Sequence, residues 1–86
     1  MPTVAIVRGV LILLYANDHP PPHFHAEGAD FSARIAIGDG SIIEQIGRMS
    51  PGVRRVLQAW TLAHGDELSE NWRLARAHRP LKRIAE

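Results

Sequence analysis

A chain of 86 residues, 45% hydrophobic and 22% charged, suffices for a single domain spanning residues 1–86 and excludes a disordered polypeptide. A formal net charge of +1 excludes a polyelectrolyte, so any contact with nucleic acid must rest on a local patch. The absence of cysteine excludes disulfides, a thiolate nucleophile and thiolate metal ligands.

The first element is the apolar stretch from Thr3 to Tyr15, interrupted by Arg8-Gly9. The interruption predicts a bulge or tight hairpin between two strand pieces. The run Val10-Leu11-Ile12-Leu13-Leu14 is too short to cross a bilayer. No basic cluster precedes it and no small-residue cleavage site follows it, so it reads as a buried strand of a cytoplasmic protein with no membrane partner. Asn17-Asp18 ends the run. Pro20-Pro21-Pro22 follow, and because proline fixes its own φ and offers no N–H, they predict an extended connector.

The chain re-enters a sheet at His23. Phe24 and Ala26 are apolar, Glu27-Gly28-Ala29-Asp30 predicts a turn or bulge, and Phe31 to Ile37 shows the two-residue alternation of a half-buried strand. Gly38-Asp39-Gly40 is a hairpin signal, because Asp-Gly accepts positive φ. Ser41 to Ile46 returns as a strand, with Ile42 or Ile43 and Ile46 facing inward. Ser50-Pro51 opens a helix, with serine as N-cap and proline at the first helical position. Val53, Val56, Leu57, Trp60, His64, Leu68, Trp72 and Ala75 recur at helical spacing up to about His78, where Pro80 forbids continuation. A helix from 51 to 78 would be about 40 Å long and must overhang the sheet or bend. Gly65 is its weak point. The expected fold is α+β: an antiparallel sheet of three or four strands packed on one long C-terminal helix. Phe24, Phe31, Ile35, Ile37, Ile46, Val56, Leu57, Trp60, Leu68 and Trp72 are expected in the core.

Four groups carry chemistry. On a strand, His23, His25 and Glu27 share one face while Phe24 and Ala26 share the other. Two imidazoles and a carboxylate suit a divalent metal with open coordination positions. Asp18 and His19 stand just upstream and could swing in. The same histidines suit acid–base cleavage of RNA, with Arg34 or Arg48 holding phosphate. Against both stands a structural role, in which the rings bond backbone freed by the prolines. The third group is His64, Glu67 and Asn71, on adjoining turns of one helix face. It predicts a network pinning the helix to the proline segment. Its sharper version sets His64 and Glu67 as catalytic partners across a cleft from His23 and His25. The fourth is basic. Arg73, Arg76 and Arg79 suit a helix C-terminus. Arg48, Arg54 and Arg55 crowd a helix N-terminus, where positive charge is unfavourable unless phosphate or an acidic partner answers it.

Tyr15, Asp18-His19 and Pro21-Pro22-His23-Phe24-His25, preceded by Met1-Pro2-Thr3, resemble the domain-of-unknown-function 4160 family. So do Val56, Ala59-Trp60, His64, Glu67-Leu68, Asn71-Trp72, Leu74-Ala75 and the tail Pro80-Leu81-Lys82-Arg83-Ile84. Ala5 to Arg8 departs from the family's aromatic character there, and Gly65 stands where a charged helix former is common. The resemblance implies a small bacterial protein of a toxin–antitoxin-like pair. Its expected function is an interaction module that binds a partner protein from a neighbouring gene, or RNA or DNA. A histidine-dependent ribonuclease-like enzyme and a divalent-metal-binding domain are the alternatives.

Overall fold

The computed structural model describes residues 3–86. Met1 and Pro2, which open the family pattern quoted above, lie outside the described residues. Among the described residues the chain forms β1 (Thr3–Val7), β2 (Val10–Leu13), β3 (His23–Glu27), β4 (Phe31–Ala36), β5 (Ile42–Gly47), α1 (Pro51–Ala63) and α2 (Gly65–Arg76). The strands form one antiparallel meander in the order β1-β2-β3-β4-β5.

Five strands replace the expected three or four, because the first apolar stretch makes two complete strands. Arg8 and Gly9 both take positive φ, 52° and 78°, which turns the chain back in two residues. Gly40, at φ 73°, serves the β4–β5 hairpin, where the Asp39 carboxylate accepts from the Ser41 N–H at 2.9 Å. That backbone bond, and a second to the Ser41 side chain, hold the Asp39 carboxyl below its usual range. Gly47 has φ 85°, and a Cβ there would lie 2.3 Å from the Asp30 carbonyl oxygen, so only glycine fits where β5 ends.

The expected long helix is also two helices. Ser50 caps α1 by accepting from the Val53 N–H at 3.2 Å, with Pro51 behind it. The helix stops at His64, whose φ of −117° and ψ of 26° leave the helical region, and α2 restarts at Gly65. The break falls beside its weakest helix former, and two short helices take the place of the one long helix.

The core lies between the helices and one sheet face. Phe24, Ile35, Ile37, Leu57, Trp60, Leu68 and Trp72 are buried there as expected, and Phe31 and Val56 pack at its margin. Ile46 is the exception, at 68% exposed. A register shift between Arg34 and Ile35 leaves Ile43 as an extra residue in β5, so Ile42 pairs with Ile35 while Glu44 and Ile46 turn to the opposite face. That face carries the cross-strand row Ile6, Leu11, Glu27, Ser32 and Ile46.

The C-terminal segment after α2 is irregular but docked. Asn71, fully buried, donates to the Lys82 carbonyl and accepts from the Lys82 N–H, both at 2.8 Å. The Trp60 indole donates to the Ala85 carbonyl, and the Ile84 N–H donates to Val4 of β1. Ile84 enters the core. Among the described residues no helix is long and apolar enough to cross a membrane.

Candidate metal centre

Strand alternation aims the histidines. Phe24 and Ala26 of β3 enter the core, so His23, His25 and Glu27 take the other parity, as the sequence predicts. The three do not converge. Glu27 is exposed and lines, with His25, Ser32, Arg34 and Glu44, a shallow depression that His23 does not join. Asp18 takes its place. The connector bends at Pro20 and Pro21 instead of running straight. Asp18 then lies against the strand start, and its Oδ2 is 3.0 Å from His25 Nε2 and 3.4 Å from His23 Nε2. The three donor atoms all lie within 4.8 Å of one another.

The proton count at these atoms is informative. His23 Nδ1 lies 2.9 Å from the Pro21 carbonyl oxygen. A carbonyl cannot donate, so Nδ1 carries the hydrogen and the Nε2 of the neutral ring is a bare lone pair. His25 Nε2–H donates to Asp18 Oδ2. His23 Nε2 therefore faces a carboxylate oxygen with no hydrogen between them. His23 is 3% exposed, and its Nε2 has no hydrogen-bond partner among the described residues. A buried polar atom left so costs about 1–3 kcal/mol. A proton on Nε2 would answer the carboxylate, but the 3.4 Å contact is not directed as a hydrogen bond.

The donor types suit a divalent cation. Bonds of about 2.1 Å separate adjacent donors by roughly 3.0 Å in an octahedral shell and 3.4 Å in a tetrahedral one. The two carboxylate-to-imidazole separations, 3.0 and 3.4 Å, fall in this range, and the two imidazole nitrogens lie within 4.8 Å of each other. Two imidazoles and one carboxylate suit zinc, iron or manganese and leave further positions open. The Nδ1–H bond to Pro21 is the outer-shell contact that fixes a ligating ring's tautomer. The proline connector thus supplies both the carbonyl that orients His23 and the bend that returns Asp18.

The walls are aromatic and helical. Tyr15 stands edge-on to His25, with centroids 4.7 Å apart, and the Trp72 ring lies 5.4 Å from that of His23. Arg76 of α2 sits over Trp72 at 5.6 Å, and its Nη1 donates to the Asp18 carbonyl at 2.7 Å. This link to Asp18, 58 residues away in the chain, left no signal in the sequence beyond a basic helix end.

His64 and Glu67 bond each other at 2.6 Å at the helix junction, where His64 also lies against Trp60. Neither joins the cluster at His23. Asn71, expected to pin the helix to the proline segment, holds Lys82 instead, and Arg76 with Trp72 secures the connector. Arg73 is taken up by Glu70 at 2.6 Å, and that hydrogen bond holds the Glu70 carboxyl below its usual range. Arg34 pairs with Glu44 at 2.9 Å. Arg48, Arg54, Arg55 and Arg79 make no ion pair among the described residues. Arg48 borders a depression of about 760 Å³ between the Arg8–Gly9 turn and the start of α1, which contains none of the cluster's residues.

The model of a family described as a domain of unknown function, DUF4160, matches residues 9–73, a span that contains Asp18, His23, His25 and Trp72. Neither the curated proteins nor the solved structures contain a match.

Proposed function

The chain belongs to the domain-of-unknown-function 4160 family, and since that name carries no chemistry, we propose from the cluster itself that the domain binds one first-row divalent metal ion through Asp18, His23 and His25. The observation that carries this reading is the buried, unanswered Nε2 of His23 facing Asp18. An arrangement kept for stability alone would have satisfied that atom or replaced it with an apolar group. A cation bound there would supply Lewis acidity and polarise a ligand at its open positions. The proposal keeps the chain in the cytoplasm, as the sequence suggests.

The test is native mass spectrometry of untagged protein supplied with zinc, manganese and iron(II). One ion per chain is expected, lost when His23 and His25 are both changed to alanine while circular dichroism stays native. Protein that remains metal-free under all three supplies would refute the reading.

A second reading is an interaction module of a bacterial toxin–antitoxin-like pair, and a different observation favours it. Ile43 and Ile46 are 43% and 68% exposed on β5, at the margin of the sheet. Arg48, Arg54 and Arg55 follow β5 in the chain without ion pairs among the described residues. An extended partner segment with acidic groups suits such an edge. Co-purification with the neighbouring gene's product is expected. A strictly monomeric protein that ignores both that product and RNA would sink it.

A further inference from the structure

Asp18 belongs to two environments at once. One carboxylate oxygen faces His23 and His25. The residue also forms the wall of an open depression of about 420 Å³, lined besides by Ala16, Asn17, His19, Arg76 and His78. The other polar side chains of that lining can donate hydrogen bonds. Asn17 offers an amide, His19 and His78 offer imidazole N–H groups, and Arg76 offers a guanidinium. Arg76 commits Nη1 to the Asp18 carbonyl, and a guanidinium carries five N–H donors in all. The side chains of His19 and His78 make no hydrogen bond or ion pair among the described residues. His78 is held at φ 57°, a left-handed conformation, by the bond from its N–H to Ala75 at the end of α2. Donors drawn from the proline connector and from the end of α2 thus meet around one carboxylate.

Without a cation, the Asp18 charge opposes any anion in that space. With a divalent ion about 2 Å from its carboxylate oxygen, the sign of the wall reverses. Resting on the metal reading, we propose that this depression is the ligand site of the metal centre and that it takes a phosphate monoester. A dianionic oxyanion matches the metal, the Arg76 guanidinium and the imidazole donors together, and hydrogen bonds from charged donors to phosphate are the strong kind. A phosphodiester carries half the charge and fills the site less well. Metal and phosphate bind cooperatively here, so each tightens the other by the same factor.

The probe is phenyl phosphate, titrated into zinc-loaded and zinc-free protein and followed by the ring signals of all five histidines in nuclear magnetic resonance. The expected result is a saturable shift of the His19 and His78 signals in zinc-loaded protein alone, with the His23 and His25 signals reporting that zinc stays bound. The double variant His19→Asn, His78→Asn is expected to lose about tenfold in phenyl phosphate affinity while keeping its zinc affinity. Asparagine tolerates the left-handed conformation at position 78, so the variant should stay folded. Zinc-loaded protein whose His19 and His78 signals ignore phenyl phosphate overturns this proposal and leaves the metal reading standing. Protein that binds no zinc overturns both. Dimethyl phosphate binding as tightly as phenyl phosphate, or tighter, overturns the assignment to monoesters.

Discussion

Two histidine–carboxylate groups occur in this molecule, and their difference teaches more than either does alone. At the helix junction, His64 and Glu67 meet at 2.6 Å in a partly exposed setting, and the pair answers itself. At the start of β3, Asp18 serves two rings at once, and one of those rings is buried with its Nε2 only 3.4 Å from the carboxylate oxygen and without a hydrogen-bond partner among the described residues. Both groups pass a test of residue type and distance. They separate only when hydrogens are counted: one donor meets one acceptor at Glu67, while two acceptors face each other between His23 and Asp18. The first arrangement is what three-residue helical spacing gives without further provision. The second needs a bent proline connector, a backbone carbonyl to fix a tautomer and an arginine from another element to hold the loop.

The contrast can be broken most sharply at Asp18. The variant Asp18→Asn removes the carboxylate ligand and should weaken zinc binding by more than about a hundredfold in competition with a chromophoric chelator. A loss no larger than that from Glu67→Gln would erase the distinction between the two groups. The same Asp18→Asn change should raise the stability of the metal-free domain by about 1 kcal/mol, because an amide NH2 in place of Oδ2 can donate to the His23 lone pair, and to His25 Nε2 once that ring carries its hydrogen on Nδ1. Urea midpoints measured in the presence of a chelator check this. A lower midpoint would show that Asp18 is kept for its hydrogen bond to His25. The smallest effect belongs to Glu67→Gln, which should change stability by less than about 0.5 kcal/mol, as expected for an exposed ion pair, and leave zinc affinity unaltered.

Much of the scaffold could be read from the residues, because local rules write it. Arg8-Gly9 and Asp39-Gly40 mark turns by their tolerance of positive φ, Ser50-Pro51 marks a helix start, and Gly65 marks where a helix that is too long gives way. The shared parity of His23 and His25 follows from strand alternation alone. What escaped the sequence is set by contacts between distant segments. Ile46 was expected inside because nothing local announces the bulge at Ile43, which depends on pairing with β4. Glu27 was the nearer carboxylate by alternation, yet Asp18 reaches the rings because the proline connector doubles back. The spacing of an aspartate, three prolines and a His-x-His pair is the signal that could have indicated this. The role of Arg76 has no such signal, since its partner lies in another element and is a backbone carbonyl. Asn71 is similar: its buried amide serves a tail whose path no periodicity describes.

That tail also decides how the molecule can associate with copies of itself. Ile84 bonds Val4 and Glu86 bonds the Arg8 N–H, so the chain's own tail already lies against the β1 margin of the sheet. The β5 margin, among the described residues, has no strand beyond it. Filament growth by strand addition needs two free edges per subunit, one to accept and one to donate. With one edge latched by its own chain, edge-to-edge assembly through β5 closes at a symmetric pair and stops there.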